Sequence, residues 1–102
     1  MTPLFEVITP TGLIVRTTPA YWEKIVSLKH PSMRGREADV QKTLSSPMEI
    51  RVSRKDENIL LYYKPFDIYF QCVVVKRTNG EGFIVTAYKT DRIKEGVRIW
   101  QS

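Results

Sequence analysis

Residues 59–88 read ILLYYKPFDIYFQCVVVKRTNGEGFIVTAY, and this stretch decides the fold. Ile59 to Lys64, Tyr69 to Lys76 and Phe83 to Tyr88 are rich in β-branched and aromatic residues, which crowd a helix but suit a pleated surface. Pro65-Phe66-Asp67 and Asn79-Gly80-Glu81-Gly82 separate them. Connections this short join antiparallel neighbours, because a parallel crossover needs a dozen residues or more. Upstream, Glu49 to Ser53 is a fourth run, set off by Lys55-Asp56-Glu57-Asn58. Downstream, Ile93 to Trp100 carries a Gly96 turn and adds a short edge strand.

The first half reads differently. Leu4 to Ile8 and Leu13 to Thr17 flank Thr9-Pro10-Thr11-Gly12, which is turn chemistry, and so form a hairpin. Thr18 is placed to cap a helix with Pro19 in its first position. Trp22, Ile25, Val26 and Leu28 supply the apolar stripe. His30-Pro31 interrupts it, since the residue before proline avoids the helical region. A second helix covers Arg36 to Leu44, with Met33, Val40 and Leu44 as a thin stripe, and Ser45-Ser46-Pro47 ends it. The expected fold is a single α+β domain over residues 1–102: an N-terminal β-hairpin and one or two helices packed on a four-stranded antiparallel sheet. The face away from the helices is expected to be polar, forming a shallow binding surface.

The chain has 102 residues, 42% hydrophobic and 26% charged, which suits one core rather than two. No apolar run approaches the roughly 20 residues of a membrane span. Residues 1–20 lack a basic start followed by an apolar stretch, so no secretory signal is expected. With Cys72 the only cysteine and His30 the only histidine, an internal disulfide and the common Cys/His zinc sites are excluded, and cytosol is the default compartment. The net charge of +5 suits a polyanion such as nucleic acid, although no block of basic residues is present.

Several phrases occur in order along residues 22–100. They are His30-Pro31, Thr43-Leu44 with Pro47, Ile50-Arg51-Val52-Ser53, Leu61-Tyr62-Tyr63-Lys64, Val73-Val74-Val75-Lys76, Gly82 to Tyr88, and Thr90-Asp91-Arg92-Ile93-Lys94 through Gly96 to Ile99-Trp100. Together they resemble the phage-associated branch of the barnase–EndoU–colicin–RelE-like (BECR) nucleases. The resemblance implies a small ribonuclease fold, helices before a four-stranded antiparallel sheet, and an endoribonuclease that is toxin-like or phage-linked.

Metal-free RNA cleavage uses the substrate's 2′-hydroxyl as nucleophile. It needs a base near that hydroxyl, an acid near the leaving 5′-oxygen, and cations or donors around the phosphorane. DNA lacks the nucleophile and would be spared. His30 is the one side chain whose ordinary titration range lies near neutrality, so it is the general base or acid by elimination. The resemblance also puts a role there, although a lone histidine at a helix joint is commonly structural.

Arg51 and Lys76 are the candidate phosphate clamps, each a long cation in an otherwise apolar strand, where the alternative is a solvated outer face. Thr86 and Ser53 offer strand hydroxyls; the resemblance favours Thr86, while threonine in a strand is also simply well placed for packing. Substrate-binding candidates are Ser53, Tyr62, Lys64 and Tyr88. Tyr62 and Tyr63 point to opposite sheet faces, so at most one of them lies in a groove. Tyr21, Trp22, Phe70, Phe83 and Trp100 are assigned to the core. One histidine does not serve easily as both acid and base, which leaves the second proton role to Lys76, a tyrosine, Glu49 or water.

No cofactor or metal is expected. The expected partners are RNA and a neutralising protein, with no membrane. The competing readings are a binding module of the same fold that holds RNA or protein without cutting, and an immunity-like protein with a large exposed apolar patch.

Overall fold

The computed structural model describes residues 2–93 and 95–102. It overturns the four-stranded antiparallel sheet: the strands form one seven-stranded mixed sheet in the order β1-β2-β6-β5-β4-β3-β7. These are β1 Phe5–Ile8, β2 Ile14–Thr17, β3 Glu49–Val52, β4 Ile59–Phe66, β5 Tyr69–Thr78, β6 Glu81–Thr90 and β7 Val97–Gln101. The amino-terminal hairpin does not stand apart from the sheet. Its β2 joins β6 in parallel, pairing Ile14 with Glu81, Val15 with Gly82 and Arg16 with Phe83. At the opposite edge β7 pairs antiparallel with β3.

The seam between β2 and β6 depends on Gly82. A Cβ there would stand 2.9 Å from Val15 Cγ2, 3.0 Å from Val75 Cγ1 and 3.1 Å from Leu13 Cδ2. Glycine lets the two backbones approach and closes the hairpin onto the sheet. Glu81 and Gly82 therefore belong to a strand, and only Asn79 and Gly80 make the turn, with φ of 52° and 79°. Two residues at positive φ match the twist of a tight hairpin. Asp67, at φ 58°, opens the equally short turn from β4 to β5, and Pro65 is absorbed into β4 opposite Phe70.

Thr18 caps α1 (Pro19–Lys24) by accepting a hydrogen bond from Tyr21 N at 3.1 Å, with Pro19 in the first turn. The helix then widens into a π-helical turn, Ile25–Lys29, closed by His30 N donating to Ile25 O at 2.8 Å. Such bulges accommodate an extra residue and often mark functional positions. A 3₁₀ turn, Pro31–Met33, leads to α2, Glu37–Ser45.

These helices cover one sheet face. Ile25, Met33, Val40 and Leu44 are fully buried against Ile50, Tyr62, Val73 and Val75. Burying each such aliphatic side chain contributes about 1.5–3 kcal/mol before chain entropy is set against it.

The other face is not the polar surface expected. Its centre is a second apolar cluster of Leu61, Tyr63 and Cys72, flanked by Ile59, Val74, Tyr88 and Ile93. Ile93 belongs to the connection from β6 to β7, which must pass β5, β4 and β3 to reach the far edge. Lys94, within the last of the sequence phrases, lies outside the described residues. Among the described residues no helix is long and apolar enough to cross a membrane.

Candidate functional site

Beyond Phe83, β6 loses its strand partner, because β2 ends at Thr17 and turns into α1. Its outer margin is completed by side chains instead. The β5–β6 register shifts so that Val75 pairs with Ile84 but Val74 with Thr86, leaving Val85 as the extra residue of a bulge. The Val85 carbonyl accepts from Tyr21 Oη at 3.3 Å and from Lys29 Nζ at 3.1 Å. The same ammonium lies 5.6 Å from the centre of the Tyr21 ring, within cation–π range.

His30 follows Lys29 and is half-buried. Its ring lies 5.4 Å, centre to centre, from that of Tyr88 at an interplanar angle of 34°. Tyr88 and Thr86 face the same way, opposite Cys72 and Val74 on β5. Burial pushes the Tyr88 phenol well above the usual tyrosine range, and Cys72 and Tyr63 beside it add to the effect. That phenol is a hydrogen-bond donor at any physiological pH and never a base. Thr86 Oγ1 is buried without a partner.

Arg51 shares this sheet face but not this neighbourhood. Its row runs Thr86–Val74–Leu61–Arg51 across β6, β5, β4 and β3. Three interstrand steps put it roughly 14 Å from Thr86. Its Nε donates to Glu49 Oε2 at 2.7 Å and its Nη1 to Gly96 O at 3.1 Å, so the guanidinium ties β3 to the start of β7. Lys76 is next to β6, and its Nζ holds Asp56 Oδ2 at 2.9 Å.

Ser53 follows the end of β3, its Oγ accepting from Lys55 N at 3.2 Å. Lys64 belongs to the other end of the molecule, where Nζ donates to Ser46 O at 2.7 Å. Tyr62 cannot touch a substrate: it is fully buried on the helix side, and burial pushes its phenol up. Tyr63 is buried as well, on the opposite face, so neither tyrosine of the pair lines an open groove. The structure thus sets His30 against Tyr88 of β6, two positions along the same strand face from Thr86, sets Lys76 beside that strand, and leaves Arg51, Ser53, Lys64 and Tyr62 elsewhere.

A cleft of about 340 Å³ opens where β2 and β6 part, lined by Arg16, Thr17, Thr18, Tyr21, Lys76, Phe83, Ile84 and Val85. The sequence assigns Tyr21 and Phe83 to the core, yet they are 36% and 42% exposed. The bulge explains Phe83: it resets the in–out alternation of β6, so Ile84 takes the buried place. The hint available in the sequence was Phe83-Ile84-Val85, three apolar residues in succession where a half-buried strand alternates.

Comparison of the chain with protein-family models, with curated proteins and with solved structures returned no match.

Proposed function

We propose that this chain is a metal-independent endoribonuclease working along the outer margin of β6. The observation that carries the reading is the apposition of His30 and Tyr88, 5.4 Å between ring centres, on the margin that also presents Lys29. The resemblance of the ordered sequence phrases to the BECR nucleases and the net charge of +5 support it.

In this reading His30 removes the proton from a ribose 2′-hydroxyl. The freed oxygen attacks the adjacent phosphorus, the bond to the 5′-oxygen breaks, and the leaving oxygen takes its proton from water. Lys29 supplies positive charge near the phosphorane, and the Tyr88 ring holds the imidazole of His30 in place. The products are a 2′,3′-cyclic phosphate and a 5′-hydroxyl. Arg51 has no direct part, being committed to Glu49 and Gly96.

A second reading has its own support. Thr86 Oγ1 is buried, and the charged heads of Arg51 and Lys76 already hold carboxylates, which suits a module that binds RNA without cutting it. Incubation of labelled RNA with the parent and His30→Ala proteins in excess chelator separates the two. The nuclease reading expects cyclic-phosphate ends from the parent alone, and none from an all-2′-deoxy substrate of the same sequence. Intact RNA that nevertheless binds the parent would leave only the binding module.

A further inference from the structure

Gln71 is a polar side chain in an apolar place. It stands on the helix-side face of β5 with Val73, and only 1% of its surface is exposed. Its Nε2 donates to Tyr88 O at 3.3 Å and lies 3.7 Å from Met33 Sδ, a weaker acceptor. A carbonyl oxygen only accepts, so the Tyr88 contact fixes which end of the carboxamide carries the hydrogens. The other end, Oε1, is buried with no partner. Burying an amide with one end unsatisfied costs stability that a methionine of similar volume would not cost. What the amide supplies in return is a fixed geometry.

That geometry concerns His30. The segment carrying it meets β6 through side chains, because β6 has no ladder partner on its outer side beyond Phe83. Tyr21 and Lys29 hold that segment at the Val85 carbonyl. Gln71 holds it at Tyr88. Met33 N donates to His30 O at 3.0 Å, so the amide touches Tyr88 on one side and the turn that begins at His30 on the other. The His30 side chain does not anchor itself there, since it precedes the Pro31–Met33 turn without capping it. Its backbone, at φ −139° and ψ 81°, lies outside the helical and strand regions, so its neighbours set its direction.

We infer that Gln71 is a positioning residue for His30. Its carboxamide ties β6 at Tyr88 to the turn that follows His30, and so sets the imidazole against the Tyr88 ring. The inference rests on the reading of His30 as the general base. Such a base has to stand within hydrogen-bond reach of the 2′-hydroxyl, and a misplacement of about 1 Å costs about a hundredfold in rate.

The chain has one histidine, so its imidazole C–H lines in proton NMR are assigned without labelling. In the parent the ring current of Tyr88 displaces them from the free-histidine position, and Tyr88→Leu measures how far. Gln71→Met keeps the volume and removes the amide. Its denaturation midpoint is expected to stay near the parent's, since the lost oxygen had no partner. Its His30 lines are expected to return most of the way to the free position. On a short RNA its kcat is expected to fall about tenfold with KM unchanged, the mark of lost positioning rather than lost binding. Gln71→Leu is measured beside it as a second apolar variant.

The inference is overturned if both variants keep the parent's His30 lines, or if the lines move and cleavage does not slow. It is also overturned if neither variant folds, which would make the amide a structural bond only. The two proposals fail separately. RNA left intact by the parent sinks the nuclease, while displaced His30 lines in the variants keep Gln71 as the residue that sets the imidazole. Cleavage by the parent with unmoved lines in the variants sinks the inference and keeps the nuclease.

Discussion

At the scale of single residues, the chemistry turns on which polar groups are free. Lys76 reads in the sequence as a phosphate clamp, but its ammonium lies 2.9 Å from the Asp56 carboxylate. That hydrogen bond holds Asp56 below the usual carboxylate range. Both partners are more than a third exposed, so the pair is a surface one and is easily given up to a stronger anion. Asp56→Asn is expected to raise RNA affinity about threefold and Lys76→Ala to lower it, both read by fluorescence anisotropy at fixed salt.

Cys72 gives a second residue-scale expectation. Burial between Tyr63 and Tyr88 pushes its thiol from the ordinary 9.0 to about 11. A proton held more tightly in the folded state stabilises below the unfolded pKa, and that contribution is lost as the pH rises toward the folded one. Stability is therefore expected to decline from pH 9 to about 11 in the parent and less steeply in Cys72→Ala, each compared with its own value at pH 8 by chemical denaturation. What the sequence could tell about residues was uneven for a physical reason. The Tyr62–Tyr63 alternation correctly implied opposite faces. It could not reveal that both faces are covered, because Ile93, which closes the second face, lies thirty positions along the chain.

At the scale of elements, local signals were legible and their long-range partners were not. The turn at Thr9 to Gly12, the Thr18 cap with Pro19 and the break at His30-Pro31 all act within a few residues, and all are present. The parallel seam of β2 with β6 joins segments more than sixty residues apart, and only Gly82 hinted at it. Gly82→Ala tests that seam. The added methyl meets Val15 and Val75 at 3.0 Å or less, and overpacking of this kind costs about 1–3 kcal/mol. A lowered denaturation midpoint is expected, with hydrogen exchange accelerated first at Val15 and Phe83. A midpoint equal to the parent's would mean that the strands separate freely there. The bulge at Val85 was hidden in the same way, and with it the exposure of Phe83.

At the scale of the whole molecule, the closed second face moves the candidate site from the middle of the sheet to its β6 margin. Three interstrand steps leave Arg51 roughly 14 Å from Thr86, as a brace between β3 and β7, and the apolar centre against which Ile93 packs fills the space between them. The charge that remains for RNA is local: Lys29 and Lys76 flank the margin, whereas Arg16 is held by Glu81 and Glu6. Two phosphate contacts release counterions with a slope of about −1.4 in log affinity against log salt for a single strand. A slope near zero would rule out a phosphate-led interface, and one several times steeper would require a footprint well beyond the β6 margin.

Where RNA lies on the sheet decides between the β6 margin and every other face. The direct measurement is amide chemical-shift mapping with a short single-stranded oligonucleotide, 2′-deoxy throughout so that it cannot be cut. The expected footprint runs through Arg16, Tyr21, Lys29, His30, Phe83, Val85 and Tyr88 and spares Lys64 and Arg98. Shifts centred on Arg51, Arg98 or Lys64, with the β6 margin silent, would contradict it.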